Sequence, residues 1–102
     1  LFITEGQGDV WKLYEAGVNN AISIFGKNIS AQQQIILENS GVTRLVVLTD
    51  NDQAGRESKV KIQRQMSRMF KVIFPRLSRK DVGDMNVKQI REDILPQLRG
   101  MF

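Results

Sequence analysis

The chain has 102 residues, of which 41% are hydrophobic and 25% charged, which is ordinary for one small globular domain with a single core. It contains no cysteine and no histidine, which excludes disulfides, thiolate metal sites and histidine-based catalysis. No apolar stretch approaches the roughly 18 residues of a membrane span and no signal-peptide pattern is present, so we expect a cytoplasmic protein without a membrane partner.

Four apolar runs, at about residues 1–5, 20–25, 44–49 and 70–74, are each followed by a helix-like or turn-like stretch. This rhythm predicts an α/β fold with a central, mainly parallel sheet of about four strands flanked by helices. Because the chain begins inside the first run, we expect residues 1–102 to be a single domain cut from a longer protein.

The first helix is predicted from apolar spacing. Val10, Leu13 and Tyr14 share one helix face with Trp11 near its edge, and we expect Trp11 and Tyr14, like the methionines, to be buried or partly buried. Gly17 is expected to end this helix in the left-handed conformation, where glycine carries no Cβ penalty.

The second helix is predicted from its capping signals. Ser30, with Gln33 three positions later, forms a capping-box pattern before a run of apolar residues. The pattern predicts a helix over about residues 31–39, closed by Gly41.

Two more helices are predicted in the second half of the chain. Ile62, Met66 and Met69 have helical spacing and are expected to pack inward, with the basic side chains of that helix facing water or a ligand. Residues 75–86 read as a polar loop, and a last helix follows that we expect to break at Pro96.

Positive charge is concentrated in one part of the chain. The net charge is +4, and residues 56–80 carry nine lysines and arginines against one acid, Glu57. Such a segment attracts polyphosphate, and a solvated helix face is an equally good interpretation.

Carboxylates follow two of the predicted buried strands. Glu5 closes the first run, and Asp50 and Asp52 close the third. Because ligands in open α/β sheets collect beyond the carboxyl ends of the strands, these acids are expected to converge on one crevice. In a regular strand the two aspartates would point to the same face and offer oxygens to one Mg²⁺, which usually takes one or two carboxylates plus substrate phosphates.

The same acids are part of a pattern that resembles the signature of the Toprim domain, shared by DNA primases, topoisomerases and related nucleases: Glu5-Gly6, then Asp50-x-Asp52-x-x-Gly55-Arg56. The segments 5–10, 22–26 and 50–56 are similar to successive motifs of bacterial and phage replicative primases, in their usual order. Lys80-Asp81-x-x-Asp84 extends the resemblance towards helicase-linked primases. The resemblance covers nearly the whole chain.

The resemblance implies roles for these acids. The glutamate of Toprim proteins that matches Glu5 acts as general base or acid at the hydroxyl of the scissile phosphodiester. The aspartates that match Asp50 and Asp52 hold Mg²⁺, for which Mn²⁺ is a possible substitute.

Three further acids match the primase pattern, and they are expected to complete a second Mg²⁺ site: Asp9, Asp81 and Asp84. For Asp9 the alternative is an N-cap of the first helix. For Asp81 and Asp84 the alternative is solvation of a loop.

Four residues near the strand ends are candidates for phosphate or nucleic-acid binding. Gly55 and Arg56 open the helix after the third strand, where backbone N–H groups and the helix dipole favour an anion. Lys27 follows the second strand on the same rim, and Gly6 follows Glu5. The alternative for Lys27 and Arg56 is a solvated surface charge.

The resemblance implies the metal-binding core of a DNA primase. Such an enzyme joins ribonucleoside triphosphates on a single-stranded DNA template, beside a replicative helicase that is fused or separate. Family primases also use a zinc-binding module and an amino-terminal polymerase half, so we expect this domain alone to be inactive.

Two alternatives remain open. A Toprim nuclease or recombination-mediator domain would use the same acids to hydrolyse or bind DNA, and a non-catalytic module would dock a helicase or nucleic acid through its basic helix. A type IA topoisomerase is disfavoured, because that group follows its aspartates with Arg-Glu-Gly-Glu rather than Gln53-Ala54-Gly55-Arg56. A phospho-receiver domain is disfavoured because its paired acids belong at the first strand.

Overall fold

The computed structural model describes residues 1–24, 26 and 28–99. Within these residues one parallel sheet has the strand order β2-β1-β3-β4, with β1 at Phe2–Thr4, β2 at Ala21–Ser23, β3 at Arg44–Leu48 and β4 at Lys71–Ile73. The crossovers between successive strands contain α1 (Gln7–Glu15), α2 (Ala31–Asn39) and α3 (Gln53–Met66). The predicted α/β fold with a parallel sheet flanked by helices is confirmed.

After β4 the chain packs back against the sheet. A 3₁₀ turn at Val82–Asp84 is followed by a terminal helix in three parts: α4 (Val87–Gln89), a π-helical segment (Ile90–Ile94) and α5 (Leu95–Leu98). None of the described helices is both long and apolar enough to cross a membrane.

The prediction of a polar loop over residues 75–86 is confirmed in part: the segment holds no element longer than the 3₁₀ turn, but Pro75, Val82 and Met85 are buried. The predicted break at Pro96 is wrong. The helix continues through Pro96, since the Leu95 N–H donates to the Ile90 carbonyl in π geometry. A proline ring crowds the preceding α-helical turn, and the wider π turn before Pro96 relieves that crowding.

The sheet separates two hydrophobic clusters among the described residues, where the sequence predicts one core. The first cluster lies between one sheet face, α1 and the terminal helix, and includes Phe2, Leu13, Val46, Leu48, Ile90 and Ile94. The second lies between the other face, α2 and α3, and includes Ile3, Leu37, Leu45, Val47, Ile62 and Met66. Both faces of the parallel strands are therefore covered, as burial on two sides requires.

The predicted helix boundaries are largely confirmed. The capping box of Ser30 and Gln33 is present at the start of α2. Gly17 and Gly41 have φ values of +92° and +81°, the left-handed conformation that glycine adopts without strain.

The predicted burial of three large side chains is wrong. Trp11, Tyr14 and Met69 are 65%, 69% and 59% exposed. The buried face of α1 is narrow, with Leu13 and Ala16 inside, so the aromatic side chains beside them point outward. Met69 follows the end of α3 at Met66, so the helical spacing that would turn it inward no longer applies.

Candidate functional site

The strand order creates a crevice between β1 and β3. The chain leaves β1 for β2 on one side of the sheet, and β3 is followed by β4 on the other side. Open α/β sheets bind ligands at such a switch point, beyond the carboxyl ends of the strands. Thr4 pairs with Leu48, so Glu5 and Thr49 leave the sheet at matching positions on neighbouring strands.

The backbone of Glu5 is held at this edge by the neighbouring strand. Its carbonyl accepts hydrogen bonds from the Ser23 hydroxyl at 3.0 Å and from the Gly26 N–H at 3.2 Å. The Thr4 hydroxyl donates to the Gly6 carbonyl at 3.1 Å. These contacts fix the direction in which the chain leaves β1, and they leave Glu5 partly buried beside the crevice.

Asp9 connects the start of α1 to the 3₁₀ turn at Val82–Asp84. Its carboxylate accepts one hydrogen bond from the Gly6 N–H at 3.2 Å and another from the Gly83 N–H at 2.8 Å, across 74 residues of sequence. The N-cap of α1 is Gly6, so the interpretation of Asp9 as the N-cap is wrong. Asp9 instead holds the 3₁₀ turn against the Glu5-Gly6 corner.

The electrostatic environment of Asp9 brings three acids into one neighbourhood. Burial raises the pKa of Asp9 above its ordinary value, and the hydrogen bonds from Gly83 and Gly6 oppose that rise. The negative charges of Asp81 and Asp50 raise the pKa of Asp9 further. Asp9 is therefore repelled by carboxylates from two other segments of the chain, and a bound cation would turn that repulsion into attraction.

The segment of residues 80–84 is docked beside the loop between β3 and α3. The Asn51 N–H donates to the Lys80 carbonyl at 2.5 Å. A Cβ added at Gly83 would lie 3.1 Å from Asp9 Oδ1 and 3.3 Å from Asp81 Oδ1, so both carboxylates border this glycine.

The two acids of this docked segment are placed differently. Asp81 caps the 3₁₀ turn by accepting the Asp84 N–H at 2.8 Å. The Asp84 side chain is exposed.

The loop between β3 and α3 is closed by its own residues. Because β3 ends at Leu48, Asp50 and Asp52 lie in a loop, and the expected alternation of a regular strand does not apply to them. Asp52 is the N-cap of α3, where its Oδ1 accepts the Gly55 N–H at 2.7 Å. A Cβ at Gly55 would lie only 1.8 Å from the Asp50 carbonyl oxygen, so α3 packs directly on the backbone of Asp50.

The predicted phosphate contacts are placed as follows. Arg56 is exposed on the first turn of α3. The backbone N–H groups of Gly6 and Gly55 donate to Asp9 and Asp52, so in this arrangement they serve neighbouring carboxylates. Lys27 lies outside the described residues.

A comparison with protein families matches this architecture. The model of the Toprim domain matches residues 1–74, which contain all of β1 to β4 and the acids Glu5, Asp50 and Asp52. The chain belongs to the Toprim family. Toprim domains bind divalent metal ions, typically Mg²⁺, and often occur in enzymes that act on nucleic acids. A search of curated proteins gives no match.

The acids of this Toprim domain suit a hard divalent cation, because carboxylate oxygens are the ligands that Mg²⁺ prefers. Asp9, Asp50 and Asp81 supply such oxygens from three segments of the chain. Within residues 1–24, 26 and 28–99, no three acidic side chains are grouped so that they could hold a metal ion by themselves. A Mg²⁺ ion here would have to take one or two carboxylates and fill its other positions with water and a bound phosphate.

One residue of the crevice escaped the sequence prediction. Thr49 directly precedes Asp50 and is 4% exposed, and its hydroxyl oxygen has no hydrogen-bond partner in the described part of the chain. A buried hydroxyl without a partner costs about 1–3 kcal/mol. The sequence does contain a signal for this residue, because Thr49 lies at the end of a predicted buried strand and directly precedes Asp50.

Proposed function

We propose that the chain is the catalytic metal-binding core of a DNA primase, whose full-length form synthesises RNA primers from ribonucleoside triphosphates on single-stranded DNA during replication. A replicative helicase, fused or separate, is its proposed partner. One observation carries the proposal beyond the family: residues 80–84 lie outside the matched region, yet they are held against Asp9 and against the loop that carries Asp50. These residues have the Lys-Asp-x-x-Asp pattern that resembles helicase-linked primases.

The proposal gives different roles to the acids of the crevice. Glu5 exchanges a proton with the 3′-hydroxyl of the growing primer as general base or acid. Asp50 and Asp52 offer carboxylate oxygens to the metal, and Asp52 keeps Oδ2 for this purpose while Oδ1 caps α3. Bound Mg²⁺ or Mn²⁺ would activate the 3′-hydroxyl and stabilise the departing pyrophosphate.

Three acids border a proposed second metal position. The carboxylates of Asp9 and Asp81 both border Gly83, and Asp84 follows Gly83 in the sequence. In the proposal, Asp9 also holds the 80–84 segment in place, because both of its oxygens accept backbone N–H groups. Arg56 and Lys27 remain the proposed contacts for triphosphate or DNA phosphate.

A metal titration of the 102-residue chain tests the first step. We expect Mg²⁺ to bind saturably, as measured by calorimetry and NMR, and both Asp50→Asn and Asp52→Asn to abolish that binding. Asp52→Asn is a sharp variant because asparagine is as good an N-cap as aspartate, so α3 keeps its cap while the site loses a charge. Its unfolding midpoint in chelator should equal that of the unsubstituted chain. No binding at high millimolar metal would contradict the proposal and favour a non-catalytic docking module.

The products formed by the full-length protein separate a primase from a Toprim nuclease. With single-stranded DNA, Mg²⁺ and labelled ribonucleoside triphosphates, we expect short RNA products that are lost with Asp50→Asn. Magnesium-dependent nicking of DNA without RNA synthesis would instead identify a Toprim nuclease.

A further inference from the structure

In the described part of the chain, β4 pairs only with β3 and forms one edge of the sheet. The Lys71 N–H donates to the Thr43 carbonyl at 2.9 Å, so the backbone of Lys71 faces β3. The N–H and C=O of one strand residue point to the same side, and successive residues alternate between the two sides. The N–H and C=O of Val72, and the N–H of Phe74 directly after β4, therefore face away from β3, along the open edge.

A groove lies beside this edge, on the side of the sheet that α3 covers. Its volume is about 350 Å³, and it is lined by Lys59, Val60, Gln63, Arg64 and Phe74. Val60 is 51% exposed although it is aliphatic, and Phe74 packs against the second hydrophobic cluster at the base of the groove. The groove thus offers an apolar surface next to outward-facing backbone groups.

The rim of the groove is positively charged. Lys59 and Arg64 have no acidic ion-pair partner within the part of the chain that the structure describes. The acid on this helix, Glu57, lies two residues before Lys59 and accepts a hydrogen bond from the Gln53 side chain. An occupant with negative charge would be attracted to this rim.

We propose that this groove binds an extended, acidic peptide segment of a partner protein. The segment adds as a strand along β4 and pairs with the outward backbone groups of Val72 and Phe74. Its side chains alternate between the two sides of the sheet, so every second residue faces α3; on that side an apolar side chain covers Val60, and acidic residues two positions before and after it reach Lys59 and Arg64. The proposal does not depend on the metal site or on primase activity.

Nucleic acid is the competing occupant, because phosphates would also be attracted to Lys59 and Arg64. A sugar-phosphate backbone, however, does not satisfy a row of strand N–H and C=O groups, and it has no aliphatic side chain to cover Val60. Phe74 packs into the second cluster, which leaves only part of its ring for a base to stack on. A peptide strand complements all three features of the groove.

Peptide selection from a random display library tests the proposal on the purified 102-residue chain. We expect the selected peptides to carry acidic residues two positions before and after an apolar residue, so that all of them face α3. In NMR spectra, the best peptide should shift the Val72 and Phe74 amides and slow their hydrogen exchange, while the Gly6 amide in the crevice stays unchanged.

Charge reversal provides the matched control. The double variant Lys59→Glu with Arg64→Glu should weaken the selected peptide at least tenfold, and selection against that variant should return basic peptides. Lys88→Glu with Arg99→Glu changes the net charge equally on exposed residues of the terminal segment and should leave peptide affinity unchanged.

Three results would overturn the proposal. The first is a selection that enriches no peptide, and the second is a bound peptide that leaves the Val72 and Phe74 amides unchanged. The third is a 12-nucleotide oligothymidine that protects the same amides and displaces the peptide, which would assign the groove to single-stranded nucleic acid.

Discussion

The two connections that carry the acids, residues 5–9 after β1 and residues 50–55 after β3, are stabilised in different ways. Both lead from a buried strand into a helix at the same edge of the sheet. The β3 connection is closed mainly by its own residues, through the Asp52 cap and the packing of Gly55 on Asp50, and its Asn51 N–H also donates to the Lys80 carbonyl. The β1 connection depends on Asp9, whose carboxylate accepts the nearby Gly6 N–H and the distant Gly83 N–H. The side chain that orders the β1 connection is therefore shared with residues 80–84, whereas the β3 connection meets that segment through a backbone hydrogen bond.

The largest effect is expected from a substitution that disrupts the β3 connection. Gly55→Ala would place a Cβ 1.8 Å from the Asp50 carbonyl oxygen, so either the loop or α3 must move. We expect a loss of about 3 kcal/mol or more in the free energy of unfolding, as measured with urea. Gly8→Ala is the control, because a Cβ at Gly8 meets no described atom within 4 Å and alanine favours the helix. Equal stability of the two variants would contradict the close packing of α3 on Asp50.

Removal of Asp9 tests the long-range connection. Asp9→Ala leaves the Gly6 and Gly83 N–H groups without their acceptor, and we expect a loss of about 2 kcal/mol in the free energy of unfolding. Hydrogen exchange at the Gly83 amide should accelerate more than exchange within α3. Asp9→Asn keeps one acceptor oxygen and should have a smaller effect. An unchanged exchange rate at Gly83 would show that another contact holds the 3₁₀ turn.

The cap of α3 is expected to contribute less. Asp52→Ala removes the acceptor of the Gly55 N–H, and loss of an N-cap costs about 1 kcal/mol. The effect should stay within the β3 connection, so exchange at the Gly83 amide should not change. Faster exchange at Gly83 would mean that the two connections are coupled more tightly than the contacts indicate.

The smallest expected effect is on the pH dependence of stability in the presence of chelator. Because the pKa of Asp9 is raised, the folded chain holds a proton in the range where the unfolded chain has already lost it. The contribution of Asp9 to stability is therefore largest at acidic pH and falls as the pH rises through the raised pKa. Asp9→Asn should remove this fall, which urea unfolding at several pH values measures. If the contribution of Asp9 to stability instead rises with pH, burial is not the largest influence on the pKa of Asp9.

Local signals in the sequence predict the fold well. The difference between the two connections shows that these signals do not predict contacts between distant residues. Alternating strands and helices, the Ser30 capping box and the glycine at position 17 all act within a few residues, and the structure agrees with them. The contact between Asp9 and Gly83 joins residues 74 positions apart, and no spacing rule indicates which backbone N–H a distant carboxylate will meet.

The other errors have a similar origin. Apolar spacing indicates that α1 has a buried side, but the width of that side depends on how the helix rests on the sheet, which leaves Tyr14 exposed. Proline predicts a break at position 96 only for an α-helical turn, and the π turn before it is a property of the packed terminal helix. The prediction that Asp50 and Asp52 point to the same face assumes that the strand continues through them, but β3 ends two residues before Asp50.

The 3₁₀ turn has a consequence for the order of events during synthesis. Val82, which packs in the first hydrophobic cluster, and Gly83, whose N–H donates to Asp9, leave the ribosome after all four strands. The chain that emerges earlier can form its parallel strands, but one sheet face stays uncovered and Asp9 lacks its distant partner. Translation that stops after β4 would therefore release an aggregation-prone chain with an exposed apolar sheet face, in which Asp9 lacks its contact with Gly83. Quality-control proteases would degrade this chain faster than the folded domain.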